Sequence, residues 1–170
     1  MEYSDEIIEK LTKLEIFSDF TEKNEENIRI LKAICQLLEI QEFEKGATII
    51  KEGDMGDALF ILYEGTVQVR RNTPSHEQFA VVNLNASYNV FFGEVALIDK
   101  DTRSASVIAI ENCRTLRLDG DKFKKLCDKE PFLGYRAIYR IAQRLAVSLR
   151  RSNKDMLILY ASLLDEVNGA

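Results

Sequence analysis

Between Phe43 and about Leu118 the apolar residues of this chain come in runs too short for helices, and glycines stand between the runs. Ala47-Thr48-Ile49-Ile50, Ala58-Leu59-Phe60-Ile61-Leu62-Tyr63, Thr66-Val67-Gln68-Val69 and Phe79-Ala80-Val81-Val82 are strand-like, as are Ser104 to Ile110 and Thr115 to Leu118. Gly46, Gly53-Asp54, Gly56-Asp57 and Gly65 punctuate them. Glycine takes positive φ without steric penalty, so this rhythm marks tight turns. About eight short strands joined by such turns make a jelly roll or barrel rather than a parallel sheet.

Both flanks are helical, which makes the chain α+β: an eight-stranded antiparallel β-roll with N-terminal helices and a long C-terminal helix. Ile7, Ile8, Leu11 and Leu14 fall at helical spacing behind Ser4, an N-cap residue type. After a break at Phe17-Ser18-Asp19-Phe20, Thr21 is the expected cap of a second helix, whose stripe is Ile28, Leu31, Cys35 and Leu38. Asp121 to Asp128 forms a short helix, and Pro131 restarts the chain. Beyond it Ile138, Ala142, Leu145, Leu149, Ser152, Met156, Leu159 and Leu163 recur at steps of four and three, a heptad stripe on one long helix. A break near Ser152-Asn153 is expected. The stripe either packs its first half on the roll or pairs with its twin in a homodimer. The organisation is thus one domain: helices over 1–40, the roll over 41–120, and lid or dimerisation helices over 121–170.

Composition narrows the chemistry. A chain of 170 residues has room for one domain with a proper core. Its net charge of −5 argues against a dedicated nucleic-acid binder, yet one buried arginine can serve a small anion in any such domain. Cys35, Cys113 and Cys127 are an odd number without CxxC spacing, as expected of buried thiols in a reducing compartment. The acidic start, Met1 to Glu6, lacks the features of a secretory signal, and no apolar run approaches the ~20 residues of a membrane span. A cytoplasmic location without membrane contact is the expectation. The single histidine, His76, sits in a polar stretch and reads as a solvated loop residue. Neither a His/Cys metal site nor a His-dependent triad is expected, and an enzyme is the last of the function classes.

One segment carries chemistry, from Phe92 to Val107. Gly93 allows close approach of the backbone to a ligand, and Glu94 to Leu97 can make a single helical turn whose first amides suit a phosphate. Nine residues after Glu94 stands Arg103, at the mouth of an apolar strand, where a guanidinium can meet phosphate oxygens bidentately. Glu94 offers only acceptors and suits a hydroxyl such as a ribose 2′-OH. A structural Glu94–Arg103 ion pair beside a turn is the competing reading, and on the residues alone both stay open.

Phe92-Gly93-Glu94-Val95-Ala96-Leu97 followed by Arg103-Ser104-Ala105-Ser106-Val107 resembles the phosphate-binding cassette of the cyclic-nucleotide-binding domain family. Lys45 to Asp54 and Gly56 to Gly65 resemble that family's strand and turn signature, and the similarity runs from roughly Leu11 to Arg151. The resemblance implies that Glu94 accepts from the ribose 2′-OH and that Arg103 binds the cyclic phosphate. It implies that the amides of Ala96 and Ser104 face the phosphate, with the Ser104 hydroxyl adding a bond. Gly93 and Ala105 are small so that the ligand comes close, and Phe92 and Val95 complete the cassette. The implied ligand is cAMP or cGMP, with no other cofactor and no catalytic residue. Two positions depart from the family: the turn before the motif, Asn85 to Val90, lacks glycine, and Thr102 stands where proline is common.

Ile141 to Ser148 resembles the dimer helix of the bacterial cAMP-dependent activators, which implies a purine contact for Ser148 and tips the ligand toward cAMP. Arg140, Arg144, Arg150 and Arg151 read as a partner surface or an intrachain ion-pair face. After this helix too few residues remain for a helix-turn-helix module, so DNA is not an expected partner. Three functions follow: a cyclic-nucleotide sensor acting through an unknown effector protein, a ligand-free scaffold or dimerisation module, and the sensor part of a transcription regulator.

Overall fold

A computed structural model describes residues 4–22, 24–73, 75 and 77–168. His76 lies outside the described residues. Eight strands form two four-stranded sheets, ordered β1-β8-β3-β6 and β2-β7-β4-β5, with every pairing antiparallel. In chain order the strands are β1 (Leu38–Phe43), β2 (Thr48–Ile50), β3 (Ala58–Glu64), β4 (Thr66–Asn72), β5 (Gln78–Asn85), β6 (Phe91–Phe92), β7 (Ser106–Ala109) and β8 (Cys113–Asp119). Before them come α1 (Ser4–Thr12) and α2 (Glu25–Cys35), with α3 (Gly120–Lys129) and α4 (Pro131–Asn168) after them. The expected fold class is the one found.

Local chemistry places the helix ends. Asn24, not Thr21, caps α2: its side chain accepts from the Asn27 amide at 2.8 Å. The break expected at Phe17-Ser18-Asp19-Phe20 is part of a 3-10 turn, Glu15–Phe20, that buries Ile16, Phe17 and Phe20. Asp119 caps α3 by accepting from the Lys122 amide. Pro131 opens α4, where its missing N–H has no helical partner to lose. α4 then runs 38 residues without the break expected near Ser152-Asn153. β1 begins at Leu38, the last residue of the expected α2 stripe, and the two-residue β6 was not expected at all.

β3 explains the two-layered core. Leu59 and Ile61 point to one side, where with Leu116 and Leu118 of β8 they meet Leu11, Leu14, Phe17, Ile34 and the start of α4. Ala58, Phe60 and Leu62 point to the other, into the roll, against Ile50, Val67, Phe92 and Val107. Its unbroken apolar sequence is therefore that of a strand buried on both faces. Phe60 pairs with Phe92 across the β3–β6 register, their rings stacked at 5.6 Å. This contact fixes β6, and β6 delivers the chain to Gly93.

Candidate functional site

The site is built at the end of β6. Gly93 adopts φ 75° and turns the chain into a 3-10 turn, Glu94–Leu97. The loop that follows is laced to the β2–β3 connection: the Gly53 amide donates to Arg103 O at 2.9 Å, the Arg103 amide to Asp54 O at 2.8 Å, and the Gly56 amide to Asp101 O at 3.1 Å. The backbone of Arg103 is thereby fixed on both sides before its side chain makes any contact.

The half-buried Arg103 guanidinium reaches back across the site. Nη1 donates to Gly93 O at 3.0 Å and Nη2 to Ala58 O at 2.7 Å. It threads between two glycines: a Cβ on Gly56 would stand 2.7 Å from Nε, and one on Gly93 would stand 2.7 Å from Nη1. Gly93 is thus required twice, for its positive φ and for this clearance. Burial lowers the Arg103 pKa, with Arg117 adding to that effect, while the Asp57 and Glu94 charges oppose it. Arginine's pKa is so high that the group keeps its charge. With two of five N–H donors engaged by carbonyls, the rest are available to an anion.

Glu94 does not pair with Arg103 by hydrogen bond. Its side chain is 15% exposed, and its Oε1 accepts from Arg144 Nε of α4 at 3.1 Å. The Arg144 guanidinium also lies over the Phe91 ring, 4.5 Å from its centroid, and 3.7 Å from Glu15. One helical turn upstream, Arg140 makes two hydrogen bonds to Asp19. Arg140 and Arg144 thus form the intrachain ion-pair face that was one of two readings of the helix. The Arg144–Glu94 contact had no local sequence signal, because the two residues are 50 apart.

The structure brings Phe92, Gly93, Glu94, Val95, Ala96 and Arg103 to one place, with different jobs. Phe92 is buried in the roll, and Val95 is exposed. The Ala96 amide donates to Gly93 O at 3.3 Å, so in this structure it serves the turn itself. Ser104 is exposed and its carbonyl accepts from Arg71 Nε at 3.2 Å, while Ala105 is half-buried. Ser148 is exposed on α4, one turn beyond Arg144, and among the described residues no hydrogen bond joins it to the cassette. At the rim, the glycine-free turn is solved by Asn89, which takes the left-handed position at φ 50° after the 3-10 turn Ala86–Tyr88. Asparagine tolerates that region better than most residues.

Among the described residues no group of His, Cys, Asp and Glu is placed to hold a metal ion, and no helix is long and apolar enough to cross a membrane. A groove of about 700 Å³ lies between α1 and α2, lined by Ile8, Phe20, Ile28 and Leu31, away from the cassette.

A family model described as a cyclic nucleotide-binding domain matches residues 40–130. The chain is similar to cGMP-dependent protein kinase 2 of Homo sapiens, at 42% identity over 82 residues, covering 48% of this chain and 11% of that protein. It is also similar to the cAMP-dependent protein kinase regulatory subunit of Dictyostelium discoideum, at 30% identity over 126 residues, covering 69% of this chain and 37% of that one. The chain therefore spans a minor part of the length of these relatives. Among solved structures it is similar to a cyclic nucleotide-binding domain from Methylobacillus flagellatus KT, with TM-score 0.73 and 25% identity over 91% of this chain and 84% of that one.

Proposed function

The chain belongs to the cyclic nucleotide-binding domain family, and from that premise we propose that it is a cytoplasmic cyclic-nucleotide sensor, taking cAMP in preference to cGMP and acting through an effector protein as a homodimer. In this reading Arg103 binds the cyclic phosphate and Glu94 accepts from the ribose 2′-OH. The Gly93 turn and Ala96 shape the floor of the site, and Ser104, Ala105 and Ser148 border the ligand. The domain regulates and carries out no catalysis itself.

The observation that carries this reading is the Arg103 guanidinium, half-buried and held by Gly93 O and Ala58 O between two glycines that leave it room. A structural arginine would meet a carboxylate there, whereas this one has only carbonyls and keeps donors free. The preference for cAMP rests on the likeness of Ile141 to Ser148 to the bacterial cAMP-responsive helix.

Calorimetric titration with cAMP and cGMP at one salt concentration tests the assignment. Arg103→Ala should lose at least ~1.5–3 kcal/mol of binding, the worth of a hydrogen bond to a charged group, while remaining folded. Near-wild-type affinity in that variant removes the phosphate role from Arg103. A tighter constant for cGMP overturns the choice of cAMP, and no binding of either nucleotide leaves the scaffold reading.

A further inference from the structure

The β4–β7 ladder ends at the pair Arg70↔Ser106, so Ser104 and Ala105 lie beyond its last rung. On one side this stretch is tied to the β2–β3 connection: Arg103 O accepts from the Gly53 amide at 2.9 Å, and Ser106 Oγ accepts from the Glu52 amide at 3.0 Å. On the other side the tie is a side chain, Arg71 Nε donating to Ser104 O at 3.2 Å. Arg71 is exposed, directly follows the last β4 residue paired to β7, and makes no ion pair among the described residues. Both carbonyls flanking the Ser104 side chain are therefore drawn onto donors, while the Ser104 amide has no hydrogen-bond partner among the described residues. The Arg103–Ser104 peptide is trans, so with its oxygen turned to Gly53 its N–H points away from the β2–β3 connection.

We propose, resting on the nucleotide-binding reading above, that Arg71 is a positioning residue of the phosphate site. It holds the Ser104–Ala105 peptide so that the carbonyl oxygen is kept from the anion and the Ser104 amide stays open to it. A carbonyl oxygen is the negative end of its peptide dipole and repels a phosphate at close range, whereas an unpaired N–H attracts one. Apart from the bond to Arg71, no hydrogen bond among the described residues fixes that peptide. The guanidinium thus extends the sheet by one tie past the end of its ladder, at the place where the cassette needs its carbonyls withdrawn. Arg71 acts through Ser104, and the donor that matters is Nε. Glutamine carries its Nε2 at the same point along the side chain, so Arg71→Gln keeps this donor and removes the charge, while Arg71→Ala removes both.

Calorimetry on the full chain tests this with cAMP and with its two phosphorothioate diastereomers, each carrying sulfur, a weak acceptor, in place of one exocyclic phosphate oxygen. Arg71→Ala should bind cAMP several-fold more weakly, and Arg71→Gln should keep close to wild-type affinity. Wild type should prefer one diastereomer, and that preference should shrink in Arg71→Ala, because the segment that senses the replaced oxygen is no longer held. Equal losses for cAMP and both diastereomers would mean a general loosening of the fold and overturn the proposal. Arg71→Gln as weak as Arg71→Ala also overturns it and gives the effect to the charge itself. Wild-type affinity in Arg71→Ala overturns the positioning role and leaves the nucleotide reading intact. A wild-type protein that binds neither cAMP nor cGMP overturns both.

Discussion

At the scale of single residues the site separates the roles of a carboxylate and a guanidinium that sequence alone leaves joined. Glu94 and Arg103 lie nine apart, and an ion pair between them was a fair reading of that spacing. The structure gives Arg103 to backbone carbonyls and Glu94 to Arg144. The consequence is measurable. Glu94→Gln keeps an acceptor but loses the charge that strengthens a bond from a hydroxyl. The variant should bind cAMP more weakly while its affinity for 2′-deoxy-cAMP changes little. Equal losses for the two ligands would make Glu94 a holder of α4 and place the sugar contact elsewhere. Burial pushes the Cys35 and Cys127 thiols up to about 11, mainly by desolvation. Of the three thiols expected to be buried, Cys113 is, while Cys35 and Cys127 are only partly so.

At the scale of elements, propensity signals located most helices and strands but not their ends. Thr21 and Asn24 are both good cap residues, and only the geometry decides that Asn24 receives the Asn27 amide. Asn24→Ala should therefore destabilise the protein by about 1 kcal/mol in urea melts, the usual worth of an N-cap, and Thr21→Ala should cost much less. The reverse ranking would contradict the assigned helix start. β1 escaped notice because Leu38 and Ile40 continue the apolar stripe of α2, and a strand pairing is a long-range fact: Leu38 meets Leu118 eighty residues on. β6 has two residues and no periodicity to detect. The cassette was legible because its residues are contiguous. The grip of Arg144 on Glu94 was not, since it depends on how α4 lies across the roll. The unbroken course of α4 past Asn153 reflects a sequence with no proline or glycine between Tyr135 and Val167 to interrupt it.

At the scale of the whole molecule, helices and roll share strands, β3 among them. Leu59 and Ile61 of β3 belong to the helical core, Ala58 and Phe60 to the interior of the roll, and Ala58 also holds Arg103 through its carbonyl. The division into helical and roll segments read from sequence is thus a division of sequence pattern, while burial is continuous across it. Strand amides between two packed layers exchange with solvent only when the whole molecule unfolds. Deuterium uptake at β3 should accordingly be the slowest in the chain and follow global stability. A nucleotide at a hundred times its dissociation constant adds ~2.7 kcal/mol to that stability. Uptake should then slow about a hundredfold, not at the cassette alone but equally at Leu11 or Ile34, which lie in the helical layer outside the roll. A slowing confined to residues 92–105 would mean that the site opens by itself. On the architecture seen here, occupancy of one small pocket is written into the exchange clock of every buried amide.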